Sequence, residues 1–276
     1  MIPLSDNVGG RHGTPWLTIT LIIINALAFL YTIILDPEQR AIFHFRFGVV
    51  PFEFTNGAVF DQIMSLPEYA AIAPIVPSWM TLFTSMFLHG GWAHILGNMV
   101  FLWVFGDNLE HHFGRVGFLI FYLATGILAS ATHILFNWES SIPAIGASGA
   151  IAGVLGAYLL LFPRRRVRTL FMMGLITVME IPAVWLLVMW MVIQLFQGVG
   201  GLVVAGGGGG VAYWAHVGGF VAGAGIVAGW RILRREKVWQ PNRYETNGSR
   251  LYQYDDDDDD YYEPPMPPGY PPYRRR

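Results

Sequence analysis

The chain has 276 residues, of which 54% are apolar and 13% charged, about half the roughly 25% charge of ordinary soluble domains. Residues 241–276 hold 13 of the 36 charged side chains, so the first 240 positions carry only 23, a balance that argues against a water-soluble enzyme. The net charge of -2 gives no reason to expect nucleic acid as a partner, and the lack of cysteine excludes disulfides, thiolate nucleophiles and thiolate metal sites.

Ten Trp, 19 Phe and 32 Gly fit a bundle of close-packed membrane helices with aromatic side chains at the interfaces. A hydrocarbon core of ~30 Å takes about 20 helical residues to cross. Apolar runs with at most one charged residue each lie near Pro15 to Leu35, Trp92 to Leu109, Val116 to Phe136, Ser148 to Phe162, Pro182 to Val203 and Val211 to Leu233. The first run ends in Asp36, Pro37 and Glu38 without a small-residue cleavage site, so it reads as a retained span. The predicted fold is all-α, a six-span polytopic membrane bundle.

Lys and Arg in short loops stay on the cytoplasmic side. Arg11, Arg115, Arg164, Arg165, Arg166, Arg168, Arg231, Arg234, Arg235 and Lys237 fall on one side of a six-span layout, and Arg40 and Arg46 on the other. That segregation puts both termini in the cytoplasm. The division is then 1–14 as a cytoplasmic N-terminus, 15–235 as the membrane domain and 236–276 as a cytoplasmic tail. The first external loop, Asp36 to about Gly91, is expected to fold onto the outer membrane surface. The glycine-rich segment Gly198 to Gly210 is expected to be mobile. Asp255 to Asp260 and the Pro/Tyr-rich stretch that follows cannot bury a core, so the tail is expected to be disordered. Those aspartates could bind divalent ions weakly or contact a basic cytoplasmic partner, although a solvated acidic tail is the plainer reading.

Polar groups inside a span are costly and tend to be functional. The short set is His89, His94, Asn98, Ser148 and His216. His94 and Asn98 are four residues apart and project from one helix face. Ser148, Ala152 and Gly156 form a stripe at the same spacing, and Gly149 and Gly153 form a GxxxG pair. His216 shares a face with Gly219 and Gly223. Helices lined with such small residues can approach closely. At 1.5 Å per residue, Ser148 and His216 both come out roughly 8 Å below the outer edge of the hydrocarbon.

A serine hydroxyl needs a base within hydrogen-bond reach before it attacks a carbonyl, and imidazole is the usual partner. Ser148 and His216 supply that pair. No Asp or Glu lies in the outer half of any span, which predicts a dyad without the carboxylate of a triad. Donors for a tetrahedral oxyanion are the backbone N–H of Ser148 at a helix N-terminus, the Asn98 amide and a ring N–H of His94. Gly146 permits the turn that delivers Ser148 into the membrane. No HExxH or comparable ligand spacing is present, so neither a metal nor any other cofactor is expected.

These residues resemble the rhomboid family of intramembrane serine proteases. His89-Gly-Gly-Trp-Ala-His94-Ile-Leu-Gly-Asn98 is similar to the family's second-helix motif, and Gly146-Ala-Ser148-Gly149 to its GxSG nucleophile. Ala215-His216-Val-Gly-Gly219 with Gly223 is similar to its sixth-helix motif. Phe105-Gly106-Asp107-Asn108-Leu109-Glu110 resembles the polar ending of the second helix. The resemblance implies Ser148 as nucleophile, His216 as general base and then acid, and His94 and Asn98 as oxyanion stabilisers. It implies His89 as a support for the water-filled mouth of the site. It further implies single-span transmembrane protein substrates, cut near the outer boundary after entering beside the fifth helix, with Gly198 to Gly210 as cover.

Two positions depart from the family pattern. Trp79 is followed by Met80 rather than Arg, which leaves open what anchors the first loop. Ala152 stands where some members have an aromatic residue under the catalytic histidine, so His216 must be oriented by something else, such as Tyr213, Trp214 or another helix. The expectation is an intramembrane serine endopeptidase in a prokaryotic plasma membrane, its site opening to the outer side. A catalytically silent client-binding relative and a small-solute transporter are the alternatives. The transporter lacks the paired interrupted helices that such proteins often show.

Overall fold

The computed structural model describes residues 1–6, 13–69, 73–173, 175–203 and 211–239. The acidic tail and most of the glycine run that ends at Gly210 lie outside the described residues. The elements are β1 (Ile2–Asp6), α1 (Trp16–Ile33), α2 (Pro37–Phe47), α3 (Pro51–Thr55), α4 (Gly57–Met64), α5 (Ser78–Thr84), α6 (Trp92–Phe136), α7 (Ser148–Leu161), β2 (Arg166–Met173), β3 (Leu175–Pro182), α8 (Ala183–Val203) and α9 (Tyr213–Leu233).

Among the described residues four helices are long and apolar enough to cross a membrane: Trp16–Ile33, Trp92–Phe136, Ala183–Gly201 and Tyr213–Leu233. The longest, α6, runs 45 residues and breaks at Gly114, whose φ of 72° and ψ of 164° leave the helical region. A side chain rarely adopts that conformation, so glycine sets the point at which the chain turns. The two halves of α6 correspond to two of the six apolar runs. The shorter apolar helix Ser148–Leu161 is packed in the centre, with most of its residues buried.

The helices meet through small residues. A Cβ at Gly219 would overlap the carbonyl oxygen of Gly149, one at Gly223 that of Gly153, and one at Gly156 that of Phe220. In hydrocarbon, apolar surface gains nothing by leaving lipid for protein, so close backbone approach and van der Waals packing hold such helices together. The stripes on α7 and α9 supply that approach. Around them Leu102, Phe105, Tyr122, Leu155 and Tyr158 are fully buried.

At the far end of the bundle, Glu110 accepts hydrogen bonds from the backbone N–H groups of Leu17 (2.9 Å) and Thr18 (2.8 Å) and from the Thr18 hydroxyl (2.9 Å). It satisfies first-turn donors of α1 and sits at the positive end of that helix. Glu110 thereby pins α1 to α6.

One expectation needs correction: the chain is mostly helical but not all-α. β2 pairs antiparallel with β3, and β1 pairs antiparallel with β2, giving the order β1-β2-β3. The segment after α7 alternates exposed Arg166 and Arg168 with buried Val167 and Thr169, the period-two pattern of a strand. Its arginines had marked it only as a loop. The N-terminal strand is fastened by Asp6, whose Oδ2 accepts from the Tyr158 hydroxyl at 2.6 Å and from Asn108 Nδ2 at 2.8 Å. Burial pushes the Asp6 carboxyl above the ordinary carboxylate range, against the opposing pull of those two hydrogen bonds and of Arg165.

The segment between α1 and α6 folds as a layer of short helices. Arg40 donates to the carbonyls of Thr32 (3.0 Å), Ile33 (3.3 Å) and Leu35 (3.0 Å), which closes the C-terminal end of α1. Ser78 donates to Glu53 at 2.6 Å, and Thr84 to the Phe47 carbonyl at 2.6 Å. Arg40 therefore ties this segment to the bundle even though Trp79 is followed by Met80 and lies exposed.

Candidate active site

The segment leading into α7 is held from both sides. Val49 and Ala144 exchange backbone hydrogen bonds of 2.9 and 2.8 Å, and the Gly146 N–H donates to the Ser85 carbonyl at 2.8 Å. Gly146 has a φ of 131°, and a Cβ there would lie 2.7 Å from His94 Nε2. Conformation and space both demand glycine at this turn. Ser148 follows as the first residue of α7, so its backbone N–H has no acceptor within the helix and lies at the positive end of the helix dipole.

His216 lies in the first turn of α9 and is buried. Its Nε2 is 2.8 Å from Ser148 Oγ. The glycine contacts described above place the two helices close enough for this, since Gly149 adjoins Ser148 and Gly219 lies one turn beyond His216. His216 Nδ1 is 2.7 Å from Gln194 Oε1 on α8. Trp190, one turn earlier on α8, packs against the imidazole with ring centres 5.8 Å apart, and Tyr213 meets it edge-on at 6.4 Å. Trp214 stacks instead on Phe136, at 3.9 Å with planes within 6°. The orientation that Ala152 cannot give thus comes mainly from α8, through two residues that the sequence reading did not single out. The available signal was a pair of polar residues, Gln194 and Gln197, inside the fifth apolar run, the first of them four positions after Trp190.

Asn98 and His94 line the same cavity as Ser148, His216 and Gln194, a space of about 550 Å³ with no carboxylate among its lining residues. Asn98 Nδ2 is 2.9 Å from His89 Nε2. A carboxamide nitrogen only donates, so His89 Nε2 is the acceptor, and the second amide hydrogen of Asn98 remains for the cavity. His94 Nδ1 receives a long hydrogen bond, 3.4 Å, from the Gly90 N–H. That leaves the ring proton on Nε2, beside Gly146. His89 itself is 1% exposed and is not among the cavity's lining residues. It lies behind Asn98, in hydrogen-bond contact with its amide. A second cavity of about 30 Å³ touches Ser148 from another side, lined by Ser85, Ser130 and His133 among apolar groups.

The short-helix layer contributes one more imidazole near the site. His44 of α2 is held below the usual histidine range by burial first, and then by the positive charge of Arg40 and by His94.

A hydroxyl, an imidazole in contact with it and two or three N–H donors around a common cavity can run nucleophilic acyl transfer. Residues 76–235, more than half of the chain, match the model of the Rhomboid domain. The chain belongs to the rhomboid family. Rhomboid protease GluP of Bacillus subtilis (strain 168) is 44% identical over 81 residues, which cover 29% of this chain and 15% of GluP. RHOMBOID-like protein 6, mitochondrial, of Arabidopsis thaliana is 28% identical over 166 residues, 55% of this chain and 53% of that protein. RHOMBOID-like protein 2 of the same plant is 26% identical over 268 residues, 90% of this chain and 78% of that protein. The chain thus covers about half or less of the length of the first two relatives. Within the rhomboid domain fall α6, α7, α8 and α9, and with them every residue of the cavity described above. As a rhomboid with several long apolar helices, it is an integral membrane protein of a protease family.

Proposed function

We propose that this rhomboid is an intramembrane serine endopeptidase that hydrolyses peptide bonds of transmembrane protein substrates through a Ser148–His216 dyad. The observation that carries the reading is the 2.8 Å approach of Ser148 Oγ to His216 Nε2 in a cavity large enough for a peptide segment. Neutral His216 accepts the hydroxyl proton as Ser148 Oγ attacks the scissile carbonyl carbon. The negative oxygen that forms is met by the Ser148 backbone N–H, the free Asn98 amide hydrogen and His94 Nε2–H. His216 then passes its proton to the departing amine, which leaves an acyl-enzyme. Water attacks the ester with His216 again as base, the second product leaves as an acid, and Ser148 recovers its proton. Asn98 and His94 act directly on the oxyanion, while His89 and Gly146 set their geometry. No cofactor enters any step.

The proposed topology counts six spans, taking the two halves of α6 separately and including α7, with residues 15–235 as the protease domain. The distribution of Lys and Arg puts 1–14 and 236–276 in the cytoplasm and the site toward the outer side of the membrane. A prokaryotic plasma membrane suits this layout. The intact hydroxyl–imidazole contact weighs against a silent client-binding relative.

Purified protein in detergent should cut a model single-span substrate, and Ser148→Ala should reduce cutting to background, a loss of at least about 10³-fold. Cutting by Ser148→Ala at the wild-type rate would overturn the proposal.

A further inference from the structure

The bond-making and proton-transfer steps of the dyad do not use Gln194, yet this side chain is 8% exposed in the middle of α8. A carboxamide buried in a membrane helix is costly unless it is hydrogen-bonded. Its oxygen finds its partner 2.7 Å away at His216 Nδ1.

An imidazole can carry its proton on either ring nitrogen, and only one arrangement serves the dyad. Nε2 must present a lone pair to Ser148, so the proton must be on Nδ1. A carboxamide oxygen accepts and never donates, so Gln194 Oε1 favours that tautomer. It also fixes the ring's rotation, which aims Nε2 at the hydroxyl. Resting on the dyad reading, we propose that Gln194 is the positioning residue of His216, filling with a neutral group the place that a buried carboxylate takes in a triad.

The position on α8 sets this residue apart from the dyad. The helices of Ser148 and His216 are locked together by the glycine contacts, whereas Gln194 and Trp190 both come from a third helix. The proton position on the base therefore depends on where α8 sits.

Gln194→Met keeps the length of the side chain and removes the acceptor oxygen, and Gln194→Glu returns an acceptor at the same reach. The assays are cutting of a model transmembrane substrate and labelling by a fluorophosphonate, each normalised to folded protein by gel filtration. Gln194→Met should lower kcat and the labelling rate about 10- to 100-fold with KM within twofold of wild type, and Gln194→Glu should recover most of the loss. If the methionine variant is not recovered folded, Gln194→Leu replaces it. Labelling of Gln194→Met within twofold of wild type, or equal impairment in the methionine and glutamate variants, would overturn the inference. Failure of the dyad reading looks different: wild-type protein would then show no label on Ser148.

Discussion

In the proposed mechanism Asn98 is one of three oxyanion donors, so its effect should be distinct from that of the dyad. Asn98→Ala removes one donor while Ser148 N–H and His94 remain, so kcat should fall by about 10²-fold with the Ser148 label retained. His89→Ala should give a milder version of the same defect, since it releases the 2.9 Å contact that orients the Asn98 amide. Steady-state kinetics on the two variants and their double mutant would check this, with losses that do not add. At this scale the candidate site was legible where polarity itself is the signal. Ser148, His216, Asn98 and His94 stand out because hydrocarbon tolerates few such groups, and all four line one cavity. Gln194 and Trp190 escaped notice because helix orientation decides whether α8 turns them toward His216 or toward lipid, and a single sequence does not fix that rotation. The depth of His89 was hidden for a similar reason: its spacing from His94 says nothing of depth, and the side chain lies buried against Asn98.

Between elements, the contact of α7 with α9 decides whether the site exists. Gly219→Ala would drive a methyl group into the Gly149 carbonyl, next to Ser148, and Gly223→Ala would do the same one turn deeper at Gly153. Each should cost about 1–3 kcal/mol of stability, read as a lower Tm in detergent. Gly219→Ala should lose more activity than Gly223→Ala at equal Tm, because its displacement falls on the dyad. The β-strands show what local patterns omit. The β1–β2 pairing joins the N-terminus to a segment beyond α7, and no periodicity near Ile2 announces its partner. The buried Asp6 that fastens β1 yields a prediction with a definite sign. A carboxyl whose folded value is raised binds its proton more readily in the native state, so its ionisation costs stability at neutral and alkaline pH, and that cost disappears as pH falls below the unfolded carboxylate range. Asp6→Asn keeps an oxygen acceptor and removes the charge. It should therefore melt above wild type at pH 8, with the gap closing below about pH 4. A gap that widens on acidification would contradict this account of the anchor.

For the whole molecule, hydrophobicity marked the apolar helices and charge the proposed orientation, because a bilayer imposes length and polarity on anything that crosses it. It imposes little on the layer of short helices between α1 and α6, whose anchors are specific contacts such as Arg40 on the carbonyls of Thr32 and Leu35. The acidic tail is proposed as an appendage to the protease domain, so deleting residues 241–276 should leave cutting of a model substrate within about twofold of the full chain. The account stands or falls on whether Ser148 is activated by His216 within the membrane. Fluorophosphonate labelling of the full chain in native-like membranes, with the modified residue mapped by mass spectrometry, tests this most directly. The account predicts one adduct, on Ser148, that is lost in Ser148→Ala and slowed at least about 10³-fold in His216→Ala; an adduct on another residue, or undiminished labelling of Ser148 in His216→Ala, would contradict it.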